Sequence, residues 1–402
     1  MTNGTTTHHP NGEEVIPCVP FYLPPKQLQR WGDTQLLPHV NWGDLFFDLF
    51  YVGAAYNLGN LLRYERSSRG VMYFAGLFGA VSKIWFDRLT FDSRFNVGDD
   101  IFHRIYEVFF LSMLATSVVN IQTVEDLENS QDSSSMFSFC LGMTVLTFLD
   151  MLRQLEIIKF VNTPEAKPTA KRELRRQFPS LILYLVATII AGVDFYHADN
   201  DHYEKYRQLA NETATYDSSS RRNDVPIILC IVSFVLSYIN IWLHIFSKLA
   251  KENTIPMNVG FVIHRHGEFT MLFLGESVLS LLIVEVTNEI KYYVTFYSGL
   301  ASVIALQYLH FKSQPHHADE HAMRQSKVRG VSFFGFFMIY CASLIALGAT
   351  YKMLLYEYTI DNADERGRMM AASDNAVYAD KEDRLQRTAN LFSGSMTLTC
   401  TR

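Results

Sequence analysis

The hydrophobic residues of this chain are collected into long blocks separated by short polar stretches. A helix that crosses a lipid bilayer needs about 20 mostly apolar residues, and nine blocks approach that length. They cover residues 42–62, 70–87, 101–121, 136–160, 178–196, 225–247, 261–285, 293–312 and 331–356. The second block is the least apolar, because Lys83 and Asp87 interrupt it. The pattern predicts an all-α fold, a polytopic transmembrane bundle of about nine spans, since a soluble protein would need a very large core to bury nine such blocks.

The polar segments at the two ends of the chain lie outside this bundle. Residues 1–40 are polar and rich in proline, with no apolar segment typical of a cleaved signal peptide. We therefore expect a disordered N-terminal tail over 1–40, the bundle over 41–356 and a polar C-terminal tail over 357–402.

Composition supports the membrane assignment and excludes some partners. Apolar residues make up 49% of the chain and charged residues only 19%, against about 25% charged residues in soluble proteins. The net charge of -6 and the lack of a basic patch with interleaved aromatics argue against a nucleic-acid partner. The five cysteines form no CxxC pair, so neither a disulfide framework nor a zinc knuckle is indicated. No cofactor is predicted, and oligomerisation is not indicated either way.

Loop charges predict the orientation in the membrane. The segment after the fourth block holds Lys167, Lys171, Arg172, Arg175 and Arg176, and basic loops stay in the cytoplasm. This places the N-terminus in the cytoplasm, although which membrane is involved is not indicated.

Two further loop features bear on this orientation. Three basic residues after the first block, Arg63, Arg66 and Arg69, lie on the predicted outer side and disagree with this orientation. The glycosylation pattern at Asn211 lies on the predicted non-cytoplasmic side of the membrane and supports this orientation.

Ionisable side chains inside the blocks concentrate at one membrane side. Because successive spans alternate in direction, the predicted cytoplasmic half collects the following residues: Asp44, Asp48, Glu107, Asp150, Arg153, His264, Arg265, Glu268 and His310. A charge at the centre of a span costs about 2.5–3.5 kcal/mol on insertion scales. The pattern therefore indicates a polar network or a water-filled vestibule, the alternative being mutual pairing near the helix ends.

Glu276 stands apart from this group. His264 and Arg265 can both reach Glu268 on their own helix. Glu276 lies eleven residues beyond Arg265, about 16 Å along a helix, and needs a partner from another helix, a bound cation or a proton. Arg153 and Asn57 are the first candidates for that partner.

One loop contains a weak metal-binding pattern. In QPHHADEHAMR, His317 and His321 are four residues apart, a spacing that can bind a metal on a helix. The nearby Arg324 and Lys327 disfavour a cation, so an exposed interfacial loop is the preferred interpretation.

Two stretches resemble a known family. WGDLFFDLFYVGAAYNL in the first block and HRHGEFTMLFLGESVLSLL in the seventh resemble the two signatures of the low temperature requirement A family, in the form of its eukaryotic branch. The resemblance covers roughly residues 40–355 and implies a polytopic membrane protein without a defined activity. It draws attention to the following residues: Phe46, Phe47, Asp48, Arg265, Gly267, Gly275, Glu276 and Ser277. It also implies a C-terminally truncated chain, because relatives continue from a stretch like 391–394 into another span.

Three functions remain open at this point. The favoured one is a transporter or channel for a small solute or ion, with Glu276 carrying a proton or cation and with Asp48 and His264 or His310 as relay partners. The second is a non-catalytic membrane protein of stress (cold) adaptation. The third is an intramembrane enzyme acting on a lipid-linked substrate, which is disfavoured because no HExxH, Gly-x-Ser-x-Gly or P-loop motif is found. The expected partners are the lipid bilayer and a small solute, proton or cation.

Overall fold

The computed structural model describes residues 19–30, 42–122, 133–209, 224–246, 255–286, 290–314, 321–368 and 393. Within these residues the chain forms nine long helices, one short helix and two short strands. In chain order they are β1 (Lys26–Gln27), α1 (Trp42–Tyr64), α2 (Ser68–Asp92), β2 (Phe95–Asn96), α3 (Ile101–Val119), α4 (Ser133–Phe160), α5 (Ala166–Leu209), α6 (Val225–Phe246), α7 (Val259–Leu282), α8 (Ile290–Lys312), α9 (Ala322–Gln325) and α10 (Lys327–Arg368). Each predicted block coincides with one long helix, and the all-α fold is confirmed.

Five of the described helices are long and apolar enough to cross a membrane. The qualifying segments are Ile101–Val119, Ser134–Phe160, Ala166–Tyr196, Val225–Leu243 and Val328–Glu357, in α3, α4, α5, α6 and α10. The remaining long helices α1, α2, α7 and α8 fall outside this set. The protein is thus a helical membrane bundle, and the number of nine spans stays a prediction.

Local capping residues explain where several helices begin. Ser67 accepts hydrogen bonds from the backbone N–H groups of Arg69 and Gly70 at the start of α2. Asn258 accepts one from the N–H of Phe261 at the start of α7. These side chains satisfy backbone donors that have no partner inside the helix, so each helix has a defined first turn.

Helix α1 lies at the centre of the bundle, in contact with α2, α3, α7 and α10. Helices α7 and α10 also pack closely on each other. A side-chain carbon at Gly348 of α10 would lie 3.1 Å from the Cα of Ser277 on α7. A larger residue at 348 would therefore push apart two helices whose facing residues matter for the site described below.

A short segment before α1 is attached to one end of the bundle. We call residues 19–30 the strap; they belong to the segment that the sequence assigns to the polar tail. Strand β1 of the strap pairs antiparallel with β2, with Lys26 opposite Asn96. At the start of α3, the N–H groups of Ile101 and Phe102 donate to the carbonyls of Pro20 and Phe21, at 3.2 and 3.1 Å. The strap thus supplies acceptors for helix donors that would otherwise lack them.

Candidate functional site

An ion pair between α1 and α7 is buried in the bundle. The Arg265 guanidinium donates to Asp48 Oδ1 at 2.8 Å and to Glu268 at 2.8 Å. The Trp85 indole N–H also donates to Asp48 Oδ1, at 3.0 Å. Asp48 is fully buried and Arg265 is 5% exposed, so the carboxylate and the guanidinium compensate each other away from water.

The first turns of α7 also hold the contacts expected from its spacing. His264 Nε2 lies 3.0 Å from Glu268 Oε1, and Arg265 reaches the same carboxylate three residues along. Arg265 additionally contacts the backbone carbonyl of Asp44, at 3.4 Å. The contacts of His264 and Arg265 with Glu268 that helical spacing predicts are therefore present, and Arg265 joins them to α1.

A second charged group ties α2 to α5. Asp87 accepts from Lys83 at 2.6 Å and from Arg176 at 2.5 Å. Glu173 accepts from Arg176 at 2.7 Å and from Arg94 at 3.0 Å. All five side chains are buried, so Lys83 is held in a salt bridge inside the bundle.

A third group joins α2, α3 and α4. Arg88 pairs with Glu107 at 2.9 Å and with Asp92 at 3.3 Å, and Arg153 lies 3.5 Å from Asp92. The guanidinium of Arg153 also lies over the Phe91 ring, at 4.2 Å from its centroid. These contacts place the predicted residues Glu107 and Arg153 in one continuous set of charges.

Asp150 is buried beside these groups. Its carboxylate interacts electrostatically with Asp87, Arg153 and Lys83. Its Oδ2 atom has no hydrogen-bond partner among the described residues. Asp150 therefore depends on surrounding cations for its stability as an anion.

The strap packs against the start of α3 and the end of α4, beside these charged groups. The Tyr22 hydroxyl donates to Glu156 at 2.8 Å, and the Tyr22 ring stacks on His103. His103 lies between Asp100, at 2.8 Å from Nδ1, and Glu156, at 3.1 Å from Nε2. Burial would raise the pKa of Asp100, but hydrogen bonds from the backbone and ring of His103 and from the Leu23 N–H outweigh it and lower that pKa.

These contacts unite one end of the bundle, which we call the charged end. It consists of the start of α1, the end of α2, the start of α3, the end of α4, and the starts of α5 and α7. Eight of the predicted network residues lie there: Asp44, Asp48, Glu107, Asp150, Arg153, His264, Arg265 and Glu268. His310, at the end of α8, stacks on Tyr340 and lies 3.0 Å from Gln314.

Glu276 is buried on α7 and faces a cation that sequence reasoning missed. Its Oε1 accepts from Ser280 at 3.4 Å, and the charge that attracts it is Lys352 of α10. Lys352 donates to Asn60 of α1 at 3.0 Å and lies over the Tyr56 ring. Among the described residues Glu276 forms no direct ion pair, and its Oε2 has no hydrogen-bond partner.

The partners first considered for Glu276 lie elsewhere. Arg153 is held beside Asp92, and the Asn57 amide donates to the Val118 carbonyl at 2.9 Å. The sequence does contain a signal for Lys352, because it is a lone basic residue inside the last apolar block.

Aromatic side chains fill the space between the Asp48–Arg265 pair and the buried Glu276. Trp85 stacks on Phe269 at 4.0 Å between ring centroids, and Phe273 lies 4.5 Å from Phe269. Tyr51 and Phe337 complete this aromatic layer around Phe269. All five are buried, so the Asp48–Arg265 pair and Glu276 lie about 16 Å apart along α7 with tight packing between them.

The weaker predicted sites fall outside this arrangement. Asn211 and His317 lie outside the described residues. His321 caps the short helix α9, accepting from the Met323 N–H at 3.3 Å, and packs against Phe333. Within the part of the chain that the structure describes, no group of three or more potential ligands is arranged to hold a metal ion.

Comparison with known proteins identifies the family. A family model described as bacterial low temperature requirement A protein (LtrA) matches residues 39–379, which include α1 to α10 and both signature stretches. Searches of curated proteins and of solved structures find no match. The match covers most of the chain, and the protein belongs to the LtrA family.

Proposed function

We propose that this protein transports a small solute or ion along the interface of α1, α7 and α10. One observation carries the proposal: these three helices hold two buried charged levels, Asp48–Arg265 and Glu276–Lys352, on either side of the aromatic layer. Charges are costly inside a membrane bundle and mark substrate or ion pathways where they occur. In this proposal the bundle has nine spans and the N-terminus is cytoplasmic.

The two levels have different parts in the mechanism. Asp48 is already compensated by Arg265 at contact distance, so it forms a closed gate at the charged end. Glu276 has a carboxylate oxygen without a partner among the described residues, and a proton or a cation would satisfy it. Lys352 faces it and would repel a second cation, which limits occupancy to one charge at a time.

The aromatic layer determines when a solute or ion can pass between Asp48 and Glu276. In the described conformation its five side chains block a path between Asp48 and Glu276. Transport therefore requires a rearrangement of α7 or α10 that separates Phe269 from Trp85. Such a step would expose Glu276 to the two sides of the membrane in turn.

A flux assay tests the proposal. The purified protein is reconstituted into liposomes, and ion and pH gradients are followed with fluorescent indicators. We expect wild-type flux to be lost in Glu276→Gln, while Glu285→Gln, which removes an exposed carboxylate nine residues along the chain, retains it. Equal, zero flux for the wild type and Glu276→Gln across all gradients would overturn the proposal.

A non-catalytic role is the second candidate. The dense pairing at the charged end favours it, because ion pairs that bridge six helices can serve packing alone. Under this role the wild type carries no flux, and Glu276→Gln leaves the bundle folded. The same liposome experiment therefore separates the two candidates.

A further inference from the structure

Helix α5 sorts its basic residues onto two faces. Arg172 and Arg176 turn inward, where both contact Glu173. Lys167, Lys171 and Arg175 are exposed, and their spacing of four puts them on one face of the helix. None of these three forms an ion pair with a described residue, so the outward face presents unneutralised positive charge.

The same face becomes apolar further along the helix. Phe178, Ile182, Leu185 and Ile189 continue the stripe at steps of three and four residues, and each is between 46% and 57% exposed. They lie in the segment of α5 that is long and apolar enough to cross a membrane. The change from basic to apolar residues on one exposed face therefore falls within this segment, and a helix that crosses a membrane is expected to make such a change at the membrane surface.

The neighbouring helix end repeats the pattern. Helix α4 ends at Phe160 and packs against α5. Lys159 is exposed, and its ammonium lies over the ring of Phe160, itself an exposed aromatic residue. A fourth cation with an adjacent apolar side chain thus stands at the same end of the α4–α5 pair.

We propose that this face binds the headgroups of anionic phospholipids. The basic residues Lys159, Lys167, Lys171 and Arg175 would contact headgroup phosphates, while the apolar stripe from Phe178 to Ile189 lies along the acyl chains. A soluble anion would use only the charged part of this surface, whereas a phospholipid matches both parts. The surface is independent of the aromatic layer and of Glu276, so the inference does not rest on the proposed transport.

The expected effect is large enough to measure. A basic residue near an anionic membrane surface contributes about 1 kcal/mol, which is roughly five-fold in affinity. Removing three such residues should weaken anionic lipid binding on the order of 100-fold, and added salt should weaken wild-type binding in the same direction.

Native mass spectrometry of the purified protein in detergent provides the test. The protein is titrated with phosphatidylglycerol, with phosphatidylcholine and with inorganic phosphate. The variants are Lys167→Gln/Lys171→Gln/Arg175→Gln and a control, Lys291→Gln/Lys312→Gln/Arg329→Gln, which removes the same charge from exposed residues elsewhere. Melting temperatures check that both variants are folded.

The wild type and the control should retain phosphatidylglycerol in preference to phosphatidylcholine, and the α5 variant should lose that preference. A charge-preserving Lys167→Arg/Lys171→Arg variant should keep it, which distinguishes a charge effect from misfolding. Equal retention of both lipids by the wild type, equal loss in the control, or binding of inorganic phosphate as tight as that of phosphatidylglycerol would overturn the proposal.

Discussion

The two charged levels of the α1–α7–α10 interface are built differently. At the charged end, Asp48 and Arg265 are in contact at 2.8 Å, Trp85 also donates to Asp48 Oδ1, and Arg265 also donates to Glu268. At the other level, Glu276 and Lys352 attract each other without a direct ion pair, and each has a separate neutral partner. Among the described residues each carboxylate keeps one oxygen without a hydrogen-bond partner, Asp48 Oδ2 and Glu276 Oε2, but only Asp48 is in direct contact with a cation.

This difference separates stabilising charges from charges available for chemistry. A buried pair in good geometry holds its helices together, because removal of either partner leaves an uncompensated charge. A buried carboxylate without such a partner contributes little to stability in its charged form. We therefore expect the first level to govern folding and the second to govern function.

The largest effect should follow from breaking the closed pair. Arg265→Met leaves Asp48 buried without its cation and should lower the free energy of unfolding by about 3–5 kcal/mol. Chemical or thermal unfolding in detergent micelles measures it. Arg104→Gln is the control, because it removes an arginine whose ion pair with Asp99 is exposed, and it should leave stability unchanged. Wild-type stability in Arg265→Met would contradict the distinction.

A smaller effect on the free energy of unfolding is expected at the level of Glu276 and Lys352. Glu276→Gln keeps a side chain of the same size that can still bond to Ser280 and removes no direct ion pair. Its unfolding free energy should therefore stay within about 1 kcal/mol of the wild type. The measurement is the same unfolding experiment. A loss comparable to that of Arg265→Met would mean that Glu276 is also a structural charge.

The smallest effect concerns the outer rim of the charged end. Because the folded state lowers the pKa of Asp100, this residue adds stability above its ordinary pKa of about 3.9 and loses that contribution as pH falls through the lowered value. The difference in melting temperature between the wild type and Asp100→Asn should be constant near neutral pH and shrink as pH falls towards about 3. A difference that grows on acidification would contradict this sign.

The sequence predicted where the helices lie and at which end of the bundle the charged residues collect, but it predicted less about which helices are in contact. Long apolar blocks predicted each long helix, because burial in lipid or protein requires the same continuous pattern. Alternation of direction predicted the charged end, and helical spacing predicted the contacts of His264 and Arg265 with Glu268. None of this depends on which helix packs against which.

The pairings between helices could not be obtained in the same way. The contact of Asp48 with Arg265, and the approach of Lys352 to Glu276, depend on α7 and α10 both lying against α1. A single sequence contains no measure of that adjacency. The strap was missed for another reason: its bonds to β2 and α3 use backbone atoms, which leave no side-chain pattern in residues 19–30.

The strap also constrains how the chain can thread through a bilayer. Strand β1 precedes α1 and β2 follows α2, and two hydrogen-bonded strands must lie on one side of a membrane. The number of crossings between them is therefore even, so the weakly apolar α2 must return whenever α1 crosses. The bond between Tyr22 and Glu156 extends the same parity to α3 and α4. Within each of the pairs α1–α2 and α3–α4, a first helix that crosses the membrane must therefore be followed by a second that returns, whatever the total number of spans.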